Sequence, residues 1–597
     1  MNADAAEPKR GGPPGRGALA QRGAVAALAV FVERRALVML ALGFASGLPN
    51  LLIFDTLSLW LREAGLSLQV ISIFALATLS YSLKFLWAPL IDRTRVPLLT
   101  GLLGHRRSWM IVLQVLLMLG LWMISGVDPA RDLALMAAFA ALVAFVSATQ
   151  DIVIDAWRIE AAEVEKQGAM AAAYQWGYRI AMIVAGAVPL ILAEAYGWSA
   201  SYAVMAALML AGVAGVLGAP REKAHAVRPI HAEGVPSRPL LELPEWLARF
   251  AVFGLGALLL GSGLAADASL LAALLAGAGA PDAGEAVRAA WAARPEGVYL
   301  QLLSVAVGLG VIVLAILPIP GVRTRPGVYL FAALGDPFRD FLVRYRGVAA
   351  LILALICLYR LSDFVLNIMN PFYADLGFSK IEIAEARKVF GVVMTVLGVG
   401  LGGFLVARLG LMRALVIGAF AGPVSNLSFA WLATQGPQLW ALFVAIGIDN
   451  VAGGISGTCL IAYMSSLTSA GFTATQYALF SSLYALPGKL IASQSGRIVE
   501  SSAAAADAGG PISGLKALFA GLPPEAFAGA MEKSQVSPAA LGAGYVLFFM
   551  YSSALGVAAV VLAFMVAGRQ PEAPGGPEAS GEPARGEPGD AQSRQST

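Results

Sequence analysis

Of the 597 residues, 58% are hydrophobic and 13% charged, about half the charged share of an ordinary soluble domain. A net charge of +3 with a mean hydropathy of +0.73 excludes a nucleic-acid-binding protein and makes lipid the solvent of most of the surface. Alternating strand segments are absent, which excludes an outer-membrane barrel. Cys357 and Cys459 lie in apolar runs, and His105, His225 and His231 in polar connections, so neither a disulfide framework nor a metal centre is indicated.

Residues 1–35 are basic and rich in Gly and Pro, without an apolar core and cleavage site, and predict a cytoplasmic tail. About 20 apolar residues cross a bilayer as a helix. That rule places spans one to six at 36–60, 67–91, 108–126, 132–155, 168–193 and 199–219. Within the 220–344 insert, apolar runs at 247–277 and 297–320 predict two further helices, or one span plus a re-entrant stretch. Spans seven to twelve fall at 345–369, 381–407, 411–434, 437–467, 473–497 and 541–567, about fourteen helices in all. The 498–540 connection is expected outside, with a short amphipathic helix at 515–519, and the tail from 568 is expected to be disordered.

A charge near the bilayer core costs about 3 kcal/mol or more unless it faces a partner or water, so the polar residues inside these spans carry the functional reading. In span one, Gly47-Leu48-Pro49 is a hinge or a kink without function, and Asn50 is a candidate sugar contact. Asp151 and Asp155 in span four are about 40° and 6 Å apart on one helix face. Asp151 is a proton carrier or the ion-pair partner of Lys84; Asp155 is a gate or helix-end contact. In span five, Arg179 can hold a carboxylate bidentately beside Tyr174 and Tyr178, or pair with an acid on another helix. Arg360, Asp363 and Asn367 form one polar stripe at i, i+3 and i+7 on span seven. There Asp363 is a second proton carrier and Arg360 an anion anchor, or the two neutralise each other. Asp449 and Asn450 in span ten precede three glycines, and Lys489 in span eleven can pair with Asp449 or Asp363. Asp449 is the third candidate for proton coupling; Asn367, Asn450 and Lys489 are candidates for substrate binding.

Lys and Arg gather before span one, between spans two and three, after span six and around 408–413. This bias predicts that both termini are cytoplasmic. The 2–3 and 8–9 connections both set arginines just beyond a helix end: Asp92-Arg93 with Arg106-Arg107, and Arg408 with Arg413. They resemble the loop signature of the major facilitator superfamily, although Ala88-Pro89 stand where glycines are usual. The resemblance implies two six-helix bundles latched by these side chains, with Lys84 and Asp155 at the gate.

A sharper resemblance follows from Leu42-Gly43-Phe44-Ala45-Ser46-Gly47-Leu48-Pro49, Lys84 to Arg93, Gly104 to Trp109, and above all Ser147-Ala148-Thr149-Gln150-Asp151-Ile152-Val153-Ile154-Asp155-Ala156-Trp157. Gly177-Tyr178-Arg179, Asp449-Asn450 and Phe472 to Leu479 continue it. These residues resemble the AmpG muropeptide permease family over about 36–219 and 345–567. The likeness implies import of N-acetylglucosaminyl-1,6-anhydro-N-acetylmuramyl peptides across the bacterial inner membrane for peptidoglycan recycling and, through it, β-lactamase induction. It implies a monomer in lipid that takes a proton as coupling ion and needs no cofactor or nucleic acid. The helix pair in the insert departs from the family pattern. Two other readings stand: transport of another polar anion, such as a nucleotide-linked acyl thioester, and a membrane scaffold or sensor. Without a nucleophile–base pair, phosphate loop or metal-ligand spacing, the chain does not read as an enzyme.

Overall fold

The computed structural model describes residues 29–66, 74, 79–222, 235, 237–293, 296–492 and 495–570. Every regular element among them is helical. Ten helices are long and apolar enough to cross a membrane, or eleven if one bent pair counts as a span. The fourteen expected runs map onto them with four differences, the first being that span eleven, the helix Thr473–Ala492, is not among the ten. Spans five and six form one segment, Val164–Gly218, which turns at Gly197 with φ 85°, a backbone region that favours glycine. Span two is described only in part, as Leu79–Leu83, Lys84–Leu86 and Ala88–Arg93. Span seven is broken into Ala349–Leu358, Leu361–Phe364, a 3-10 turn Val365–Ile368 and Met369–Leu376. Pro371 explains that last break, because its ring clashes with the carbonyl four residues earlier, at Asn367. The polar stripe expected on span seven thus runs across a change of helix type, and the side chain of its third member, Asn367, lies outside the described residues.

Close backbone approach builds the first bundle. Span one runs Arg34–Leu51, then a π turn Leu52–Thr56, then Leu57–Glu63. A Cβ on Gly43 would collide with the Tyr174 carbonyl, one on Gly47 would lie 2.7 Å from the Tyr178 carbonyl, and one on Gly177 would strike the Leu40 carbonyl. Small residues let spans one and five touch along their backbones, as packing in lipid requires. The two halves meet where span five crosses span eight: Trp176 Nε1 donates to the Val396 carbonyl at 2.8 Å. Gln175 Nε2 reaches Thr458 on span ten at 2.8 Å.

The insert contributes a tightly crossed pair, Pro239–Ala265 and Glu296–Ile316. Leu260, Leu264, Val305 and Ile312 pack on Leu83, Phe85 and Leu86 of span two, so the pair is fastened to the outside of the first bundle. The expected 247–277 run ends at Ala265 and is followed by separate helices, Ser269–Gly277 and Pro281–Ala292. The 498–540 connection is a folded cap. Helix Ser495–Asp507 extends beyond the expected end of span eleven, and Phe519 and Phe527 join the aromatic core around Phe372, Tyr545 and Phe549. Asp507 accepts Ser537 Oγ at 2.6 Å and Ser537 N at 3.3 Å, bonds that hold its carboxyl below the ordinary range.

Candidate functional site

In the first half, the intramembrane polar residues form one connected group. Ser46 on span one donates to the Asp151 carboxylate and lies 2.7 Å from the Tyr174 hydroxyl. Tyr81 donates to Ser147 at 2.9 Å and interacts with Asn50; the Tyr174 and Tyr178 rings are 6.2 Å apart. Asp151 thus sits among hydroxyls from spans one and five and makes no ion pair among the described residues. The sequence left open a direct Lys84–Asp151 bridge. The structure gives Lys84 to Asp155 at 3.9 Å instead, with Arg158 on the other oxygen at 3.3 Å. One turn of helix separates the two acids, and Lys84 lies nearer the Asp155 end.

In the second half, Arg360 Nε and Asp363 Oδ2 are 2.8 Å apart, so they neutralise one another as span seven alone allowed. The pair is held at the seam between the halves. A Cβ at Gly457 would lie 3.3 Å from Arg360 Nη1 and 3.7 Å from Gln175 Oε1, so a guanidinium from the second half and an amide from the first share one small space. A Cβ at Gly422 would lie 2.9 Å from Asp363 Oδ1; glycine makes room for the carboxylate. Asp449 accepts Ser425 Oγ at 3.3 Å. Asn450 turns the other way, taking Thr395 Oγ1 at 2.7 Å and giving Nδ2 to the Ile446 carbonyl at 2.8 Å, which ties span ten to span eight. Arg179 is exposed, with Met182 Sδ at 3.9 Å and no ion pair among the described residues. The side chains of Asn367 and Lys489 lie outside the described residues.

The basic end is closed by a buried network. Arg106 Nη2 bridges Asp92 and Glu160, each at 2.7 Å, and both Arg106 and Asp92 are almost wholly buried. Asp92 then crosses to the other half, accepting Thr475 N at 2.8 Å, Thr475 Oγ1 at 2.7 Å and Ala474 N at 3.2 Å. These N–H groups belong to the first turn of the helix Thr473–Ala492, where an anion satisfies otherwise unpaired donors. Arg158 adds Ser465 Oγ at 2.9 Å and the face of Tyr477 at 5.1 Å.

The other expected latch residues make the following contacts. Arg93 donates to the Ala332 carbonyl at 2.6 Å, in the end of the insert. Arg107 caps span six through the Val216 and Leu217 carbonyls at 3.2 and 3.4 Å. Arg408 lies over Phe404 at 5.8 Å, Arg413 is exposed, and neither forms an ion pair among the described residues. No acid stands near them in the 8–9 connection, so the two loops are not equivalent. Just before span seven, Asp340 and Arg344 pair at 3.0 Å, with Gln476 Nε2 3.0 Å from Asp340. The sequence reading passed over these residues; an acid and an arginine four apart in a connection look like an ordinary solvated helix pair. Glu222, just past span six, accepts the Arg106 N–H at 2.9 Å. Burial nevertheless holds its carboxyl above the ordinary range.

Comparison with known proteins agrees with this architecture. The family model described as Major Facilitator Superfamily matches residues 36–491. The chain is 29% identical over 473 residues to a transporter named AmpG 4 of Rickettsia conorii, covering 79% of this chain and 91% of that one. It is also 29% identical over 476 residues to the anhydromuropeptide permease of Escherichia coli, covering 79% and 76%. The AmpG resemblance read from the motifs is thus seen along most of both bundles. The chain belongs to the Major Facilitator Superfamily and is a multi-pass membrane transporter.

Proposed function

We propose that this transporter imports anhydro-muropeptides across the inner membrane with protons, by alternating access of a site between its halves. The likeness to an anhydromuropeptide permease supports the substrate class. The observation that carries the reading is the seam at Gly457, where Arg360 and Gln175 from opposite halves approach one space. A substrate carboxylate held there is touched by both lobes, so it is sensed by the motion that moves them.

The Arg360–Asp363 pair offers a coupling step. A peptide carboxylate competing for Arg360 displaces Asp363, and the released acid becomes cheaper to protonate than to leave charged in a low-dielectric site. Charge is conserved: one ion pair is exchanged for another, and the aspartate leaves the reaction neutral. Asp151, with hydroxyl partners and no ion pair among the described residues, is the second carrier. The Asp92–Thr475 closure, with the basic end facing the cytoplasm, corresponds to an outward-facing conformer.

Uptake of labelled disaccharide tripeptide into vesicles, with and without an inward proton gradient, tests this. Gradient-driven uptake lost in Arg360→Gln is expected. A folded protein that takes up none of it, yet accumulates an acyl thioester, overturns the substrate assignment.

A further inference from the structure

The end of the insert, Arg325–Arg344, meets the following span-seven helix Ala349–Asp363 at 110°, with Gly347 at φ 88° in the turn. Since the latter helix crosses the membrane, the former runs close to the membrane plane. One face is bolted to the transporter. Phe341 is buried 5.1 Å from the Phe480 ring, Gln476 donates to the Pro337 carbonyl at 2.8 Å, and Ser469 donates to Asp340 at 2.8 Å. Arg344 reaches the Leu467 carbonyl at 2.9 Å, and Arg93 from the first half holds Ala332. The segment therefore grips both halves beside the Asp92–Thr475 closure.

The opposite face is different. Phe338, Leu342 and Val343 are exposed, interleaved with exposed Arg339 and Arg346, neither of which forms an ion pair among the described residues. Apolar side chains alternating with cations on a helix lying in the membrane plane suit the boundary between acyl chains and headgroups. A neutral lipid covers the apolar residues but leaves the two positive charges uncompensated; an anionic headgroup answers both.

We infer that Arg325–Arg344, together with the turn that follows it, docks on anionic lipid headgroups through Arg339 and Arg346, and that this docking holds the basic end of the transporter closed. The inference needs only a membrane-embedded bundle, so it stands or falls separately from the muropeptide assignment.

Hydrogen–deuterium exchange of the full chain in nanodiscs of neutral lipid, and of neutral lipid with phosphatidylglycerol, tests it. Each cation near a charged surface contributes about a fivefold effect. Exchange in 325–344 is expected to slow roughly twentyfold in anionic discs, with parallel slowing in 467–476. Arg339→Gln/Arg346→Gln, both at exposed positions, is expected to abolish the lipid dependence. Asp340→Asn separates docking from clasping: 325–344 keeps its lipid response and 467–476 loses it. Equal exchange of the native chain in both discs, or full lipid response in the double variant, overturns the docking. A lipid response of 467–476 that persists in Asp340→Asn overturns the clasp.

Discussion

The Asp92 carboxylate of span two sits on the first turn of span eleven, taking the Thr475 amide at 2.8 Å and its hydroxyl at 2.7 Å. Its other oxygen is held by Arg106 at 2.7 Å. One buried anion thus joins the latch of the first bundle to the start of a helix in the second.

Without Asp92, Arg106 keeps Glu160 at 2.7 Å, but the buried Thr475 and Ala474 N–H groups lose their acceptor, at a cost of about 1–3 kcal/mol. Asp92→Ala is expected to lower thermal stability by that order and to open the basic end to a membrane-impermeant thiol reagent at a cysteine placed there. A double-mutant cycle with Thr475→Val should return a coupling of about 1–3 kcal/mol. Additive effects would mean that the contact does not carry the closure.

The glycine crossing of spans one and five makes a steric prediction. Gly177→Ala puts a methyl group into the Leu40 carbonyl and should cost about 1–3 kcal/mol through overpacking, read as a fall in melting temperature. Gly254→Ala and Gly310→Ala, where nothing lies within 4 Å of the added atom, should melt like the parent.

The two candidate carriers can be told apart. Asp151→Asn keeps an oxygen able to accept from Ser46, so folding should change by less than about 1.5 kcal/mol while the gradient dependence of uptake falls. Asp363→Asn strands Arg360 and should weaken both folding and uptake. If both variants retain full proton stimulation in vesicles, neither acid is the carrier.

Glu222 predicts a pH effect of definite sign. Its folded-state pKa is raised by burial, so its favourable contribution is complete below the unfolded value, about 4.3, and is lost as pH rises through the folded value. Between pH 4 and 7 the parent should therefore lose stability relative to Glu222→Gln, in which the slope is removed. Parallel melting curves for the two proteins across that range count against this account.

Much of the architecture was readable along the chain because lipid imposes a local rule: each span must be long, apolar and internally hydrogen-bonded. The acids of span four stood out because charge is rare in such surroundings, whereas Pro49 leaves the helix unbroken to Leu51, ahead of the π turn Leu52–Thr56. In the 498–540 connection the short helix expected at 515–519 is present as the 3-10 helix Ser513–Phe519, but its packing as a cap was not legible, since Phe519 and Phe527 meet Phe372 and Phe549, a pairing that no local pattern announces.

Residue order alone indicated most of the spans, the motif positions and the scarcity of intramembrane charge, since these depend on composition within about twenty consecutive residues. Only the tertiary structure decided the partners. It gave Lys84 to Asp155 and not Asp151, Asp92 to Thr475, and Asp340 to Arg344 and Gln476. An ion pair or helix cap depends on distances of about 3 Å between atoms hundreds of residues apart, and those are set by how helices cross, not by what each one contains.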